Sequence, residues 1–251
     1  MKIGIISGFD IKNIIDESEK ITIETKYGNV QINIKKIDGK SVFFINRHGE
    51  NQNIPPHKIN YRANIKALSF CKVENIISIG TVGSLKENIK PGYFIIPNDF
   101  IDFTKLRINT YFDKQRIHID MGRPLCPNLR KLLIKNCKKI KDNKMLNKGV
   151  YLTTEGPRLE TASEIRFFSN FADVVGMTLG QEIIFSRELG ICYAAICLIC
   201  NMGTGLQKKL EIKEMEKILT QNKTNIYKII VNTIKDIENN KKCECQKYEK
   251  I

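Results

Sequence analysis

A chain of 251 residues has room for one large α/β domain or two small ones, and an apolar fraction of 42% supports a sizeable core. No apolar run reaches the length of a membrane span, and Met1-Lys2-Ile3-Gly4-Ile5 runs straight into a strand pattern without signal-peptide organisation, so a cytoplasmic location is expected. The net charge of +14 comes from lysines spread along the chain with no interleaved aromatics, which argues for solvated faces rather than a nucleic-acid partner.

Residues 1–7 read as a buried strand that ends in Ser7-Gly8-Phe9-Asp10, a small-residue loop of the kind that holds phosphate in α/β proteins. Residues 21–25, 30–37 and 41–46 alternate apolar and polar, with turns at Tyr27-Gly28-Asn29 and Asp38-Gly39-Lys40, which predicts an antiparallel meander. It runs into Asn46-Arg47-His48-Gly49, where a cation and an imidazole at a strand end suit an anion, or form a surface turn with incidental charge. The spacing of Ile65, Ala67 and Leu68 predicts a helix over 61–71. A buried strand over 76–79 then leads into a second small-residue loop, Gly80-Thr81-Val82-Gly83-Ser84.

Short strand pieces follow at 93–96 and 99–103, then a long polar loop over 107–122 that carries His118. Residues 127–137 form a basic amphipathic helix. A strand at 150–153 enters Glu155-Gly156-Pro157-Arg158-Leu159-Glu160-Thr161, and Thr161 with Glu164 makes a capping box for a helix over 162–170. After a strand and loop at 173–178 comes a helix over 181–189. The apolar run 191–200 is a buried strand that delivers Asn201 to its C-terminal end, followed by Met202-Gly203-Thr204-Gly205. One long helix or two occupy 210–238. Without an internal repeat or linker, residues 1–238 read as one domain and 239–251 as a charged, flexible tail.

Of the eight cysteines, Cys192, Cys197 and Cys200 share one strand and read as small hydrophobes. A strand sends near neighbours to opposite faces, so their spacing makes no zinc site, and no metal is expected. Cys243-Glu244-Cys245 in the polar tail reads as a redox or disulfide pair, or as two exposed thiols.

Taken in order, Arg47-His48-Gly49, Asn60-Tyr61-Arg62-Ala63-Asn64-Ile65, Val82-Gly83-Ser84-Leu85, Glu155-Gly156-Pro157-Arg158, Gly176-Met177-Thr178 and Asn201 resemble the trimeric-type purine nucleoside phosphorylases, in the branch of the methylthioadenosine and methylthioinosine phosphorylases. The likeness spans residues 1 to about 234. It implies a single-domain α/β fold, a twisted mixed sheet partly closed as a barrel and flanked by helices, assembled as a homotrimer or a dimer of trimers. It also implies phosphorolysis of a purine nucleoside, with inorganic phosphate as co-substrate and no cofactor.

On that resemblance, phosphate is held by Arg47, His48, the backbone at Thr81 and the Thr178 hydroxyl. Phe9, Gln52 and Gly80 depart from the family pattern, with Ser7 as a possible substitute donor. Met177 packs under the ribose. Leu159, Glu160 and Asn201 hold the base, Glu160 and Asn201 as the catalytic pair. Glu160 with Asn201 favours a 6-oxopurine, because an ionised Asp in place of Asn201 would repel O6 and accept from a 6-amino group. Ile212 and Met215 form an apolar 5′ pocket, to which a neighbouring subunit lends His118. The expected substrate is S-methyl-5′-thioinosine. The alternatives are inosine or guanosine, methylthioadenosine, or purine binding without turnover through an altered phosphate loop.

Overall fold

Two long apolar strands form the spine of the computed structural model, which describes residues 1–10, 16–141, 144–207, 209, 211–238 and 243–246. β5 (Asn75–Ser84) and β11 (Cys192–Met202) pair in parallel from Cys192↔Asn75 to Met202↔Ser84. Both are buried almost throughout, the pattern of strands covered on two faces. On the other edge of β5 lies β1 (Lys2–Ser7), parallel to it, followed by β4 (Lys40–Asn46), β3 (Gly28–Ile37) and β2 (Glu19–Thr25), the last three forming the antiparallel meander.

β10 (Val174–Gly176) pairs antiparallel with the C-terminal end of β5 and continues the sheet to β9 (Val150–Thr153) and β7 (Asp99–Asp102). β6 (Phe94–Ile95) joins β11 to β8 (Met145–Leu146). The sheet is mixed, as the resemblance implies, and it branches at β5 and β11.

Helices cover both faces. α1 (Tyr61–Phe70) packs on α4 (Leu179–Glu188), and α2 (Pro127–Lys138) on α5 (Ile212–Asp236). α3 (Ala162–Phe168) starts at the expected capping box, with Thr161 accepting from the Glu164 N–H and Glu164 from the Thr161 N–H. The period of two along β11 divides the core: Tyr193, Ala195, Cys197 and Ile199 join one apolar cluster, and Cys192, Ala194, Ile196, Leu198 and Cys200 join the other. No helix among the described residues is long and apolar enough to cross a membrane.

Two expectations are corrected. Residues 80–84 are strand, not loop, because β11 and β10 supply backbone partners on both edges of β5. The four described residues of the tail, 243–246, are docked rather than free: Cys245 is buried, and its carbonyl accepts from Arg187 Nη1 at 3.3 Å. Residues 239–242 and 247–251 lie outside the described residues.

Candidate active site

The C-terminal ends of β1 and β4 lie side by side, level with Ile79 in the middle of β5, and together with the later residues of β5 they border a cavity of about 280 Å³. Gly8, Arg47, His48, Thr81, Leu159, Glu160, Met177, Thr178, Asn201 and Met215 all contribute to its wall. Nine of these ten come from the sequence expectation, carried by six separate stretches of chain. Gly8 comes from the small-residue loop after β1.

At the polar end, Gly8 donates its N–H to the Ile79 carbonyl and Arg47 donates its own to Ser7. The Arg47 guanidinium folds back under the strand ends. Nε and Nη2 donate to the two Glu182 oxygens, Nη2 also to Ser78 Oγ, and Nη1 to the Ile79 carbonyl at 3.1 Å. Arg47 is 2% and Glu182 1% exposed. Burial alone would lower the Arg47 pKa, but the charge and hydrogen bonds of Glu182 outweigh it and raise the value. A Cβ on Gly8 would collide with Nη1, so the glycine makes room for the cation.

Thr178 stands one helical turn before Glu182, as N-cap of α4, and its hydroxyl makes no capping bond. A hydroxyl free of its own helix, a helix N-terminus and a fixed guanidinium therefore border one corner. His48 pairs its Nδ1 with the Ile54 carbonyl at 2.7 Å. Burial, and then the charge of Arg47, hold its pKa below the ordinary value, so the neutral ring has its proton on Nδ1 and a lone pair on Nε2.

Ser7 does not join this corner. It is fully buried, its hydroxyl donates to the Phe9 carbonyl at 2.7 Å, and it braces the loop instead of facing the cavity. The expectation that it replaces a missing phosphate donor is thereby corrected.

Glu160 and Asn201 mark another part of the wall. Glu160 is buried, and its Oε1 accepts from Thr154 Oγ1 at 2.6 Å. Asn201 Nδ2 donates to the Met202 carbonyl at 2.9 Å, which leaves its second hydrogen and Oδ1 for a ligand. A β-bulge at Cys200 shifts the register between Ile199 and Asn201 and sets the side chain over Gly83. A Cβ on Gly83 would sit 3.1 Å from Asn201 Nδ2, so this glycine of β5 makes room for the Asn201 amide.

Met177 also lines the cavity, its sulfur packed where a Cβ on Gly156 would stand. Its carbonyl accepts from Arg107 Nη1. Arg107 escaped the sequence reading, as did Glu182. It also donates to Gln181 Oε1, to the carbonyls of Thr154 and Glu155, and to the Glu155 carboxylate. One side chain thus ties the Met177 segment to the segment that carries Glu160. A clue was present: a charged residue directly before the apolar pair of α4, Ile183-Ile184, needs a buried partner.

Of the 5′-pocket residues, Met215 reaches the cavity together with Pro56, Met202 and Gln207. Ile212, at the first turn of α5, is 70% exposed and does not line the cavity. Its expected place in the pocket is corrected, because the helix turns that face outward. His118 is exposed and away from this cavity.

The Phosphorylase superfamily profile matches residues 2–235. A Methanocaldococcus jannaschii protein named "Probable S-methyl-5'-thioinosine phosphorylase" is 44% identical over 97% of this chain and 96% of its own. A Pyrococcus furiosus "S-methyl-5'-thioadenosine phosphorylase" is 40% identical, again over 97% and 96%. The crystal structure of a methylthioadenosine phosphorylase from an antarctic soil metagenomic library superimposes with a TM-score of 0.87 at 31% identity, over 92% of this chain and 84% of that one. The ordered motifs, the cavity they enclose and these likenesses agree: the chain is an enzyme that belongs to the phosphorylase superfamily.

Proposed function

We propose that the protein cleaves 6-oxopurine nucleosides by phosphorolysis, with S-methyl-5′-thioinosine as preferred substrate and hypoxanthine and 5-methylthioribose 1-phosphate as products. The observation that carries this reading is the joint presence of Glu160 and Asn201 in the wall of a cavity whose other corner is Arg47, His48 and Thr178. In this reading phosphate sits against Arg47, Thr81 and the Thr178 hydroxyl. One of its oxygens bonds to C1′ as the C1′–N9 bond breaks, and the bonding pair leaves with the purine. Asn201 accepts from protonated N7 and donates to O6, and Glu160 accepts from a ring N–H, so both strengthen as charge builds on the base. Met177 packs under the ribose. Met215 gives the 5′ side an apolar wall, which favours a methylthio group by about 1–3 kcal/mol over a hydroxyl that finds no partner.

A homo-oligomer, trimer or dimer of trimers, belongs to the same proposal, with His118 lent to a neighbour's 5′ region. Phe103, Phe167 and Phe171 support it, being exposed yet joined in one aromatic patch, Phe103 and Phe167 through Phe168 and Phe171 through Phe167. Light scattering after size exclusion reads the assembly directly.

A second reading, cleavage of methylthioadenosine, is favoured by the bond from Asn201 Nδ2 to the Met202 carbonyl, which turns an acceptor oxygen toward a 6-amino group. A panel of methylthioinosine, inosine, guanosine and methylthioadenosine, each with and without phosphate, separates the readings. Phosphate-dependent release fastest from methylthioinosine is expected. Fastest release from inosine or guanosine makes the enzyme a general 6-oxopurine phosphorylase, and fastest release from methylthioadenosine overturns the base assignment.

A further inference from the structure

Away from the cavity, four cysteines from three remote parts of the chain converge. The sulfurs of Cys126, Cys192, Cys243 and Cys245 all lie within 4.8 Å of one another, and Cys192 and Cys243 are 3.4 Å apart. Cys126, Cys192 and Cys245 are buried, and Cys243 is partly so. The elements that bring them together are fixed. Cys192 opens β11, Cys126 is the N-cap of α2 and donates its N–H to the Tyr193 carbonyl at 2.7 Å, and Arg187 holds the Cys245 carbonyl.

We propose that these four cysteines form a tetrathiolate site for one zinc ion, which clamps the C-terminal segment onto the start of β11.

Geometry, chemistry and electrostatics agree on this. Tetrahedral zinc with Zn–S bonds of about 2.3 Å places its sulfurs about 3.8 Å apart, within the spread seen here. An iron–sulfur cluster, being larger than a single ion, would hold its thiolates further apart. Four sulfurs and no imidazole or carboxylate select a soft, tetrahedral ion over magnesium or calcium. Binding turns Zn²⁺ and four thiols into a complex of net charge −2 and releases four protons, with no change of oxidation state. That charge is met by the N-terminus of α2, at which Cys126 is the N-cap, in a chain of net charge +14. The Cys-x-Cys spacing lets two ligands come from one short segment, so the tail can be recruited by the metal as the chain folds.

The test uses the full-length protein, expressed with zinc in the medium and purified under reductant. Elemental analysis is expected to find about one zinc per chain, falling to near zero in Cys243→Ser/Cys245→Ser and retained in Cys200→Ser, whose thiol lies elsewhere on β11. Cobalt added to metal-stripped wild type is expected to give the intense sulfur-to-cobalt charge-transfer absorption of tetrahedral thiolate, a readout independent of how the variants fold. Zinc that persists in the double variant, or reduced protein that gives no such absorption, overturns the proposal. So does mass spectrometry that finds the four cysteines paired as disulfides in metal-free protein whose reduced form takes up no cobalt.

Discussion

Arg47 and Glu182 form a buried, two-point ion pair beneath the cavity, one helical turn from the Thr178 hydroxyl. Ser78 Oγ and Tyr193 Oη also donate to Glu182, at 2.9 and 2.8 Å, so the carboxylate is the hub of a closed network. The pair fixes the guanidinium before any anion arrives. Its positive charge is already shared, so the helix N-terminus and hydroxyl beside it must supply the rest of the attraction.

Glu182→Gln is expected to cost about 3–5 kcal/mol of stability, because it leaves the Arg47 charge buried without a counter-charge. Urea or guanidinium denaturation measures this. Pairing with Arg47→Met should recover part of the loss in a double-mutant cycle, since the uncompensated charge is then gone. Independent, additive losses would show that the two side chains are not coupled.

His48 should report phosphate directly. Its folded pKa lies below the ordinary histidine value, through burial first and the charge of Arg47 second, while its bond to the Ile54 carbonyl opposes both. A phosphate dianion beside the ring favours imidazolium, so bound phosphate must raise that pKa. By linkage, phosphate affinity rises as pH falls through the phosphate-bound pKa and levels off below the free one. Imidazole NMR titrations without and with phosphate should show an upward shift of the midpoint. A midpoint that stays put removes His48 from the phosphate site.

Arg107→Lys tests a residue that acts through others. A lysine keeps the charge but loses the fork that reaches Met177, Thr154, Glu155 and Gln181 together. Loosening these segments by about 1 Å is expected to lower kcat roughly 10²-fold. A merely structural role would instead lower the melting temperature and leave kcat of the folded enzyme intact. Steady-state kinetics beside thermal unfolding separates the two.

What could be read from the sequence follows from the range of the forces involved. The Thr161–Glu164 box and the core face of α1 depend on residues three or four apart, and both are found as expected. In the sequence the glycines at the end of β5 look like loop punctuation. Gly83 is small for a tertiary reason, the approach of the Asn201 amide. Arg47 itself is legible from its motif, whereas Arg107 belongs to no local pattern and Glu182 shows only as a charge before an apolar pair, and the partners of both lie far along the chain. Cys192 read as a core hydrophobe because the neighbours that change its character lie more than fifty residues away on either side.

Asn201→Asp asks whether the end of β11 reads the base. The bulge at Cys200 aims this side chain over Gly83, beside the cavity that Glu160 shares. An aspartate keeps the shape but loses both amide hydrogens. Its bond to the Met202 carbonyl becomes a repulsion, and it can only accept from the ligand. A 6-oxo group then meets a negative charge and a 6-amino group meets an acceptor. The ratio of kcat/KM for methylthioinosine over methylthioadenosine is expected to fall by at least ~10²-fold, about 2.7 kcal/mol of differential transition-state binding. The same substitution should change the phosphate KM little, because Arg47 and Thr178 are untouched. A ratio that survives unchanged would mean that Asn201 shapes the bulge without touching the purine, and the choice of base would then rest on Glu160.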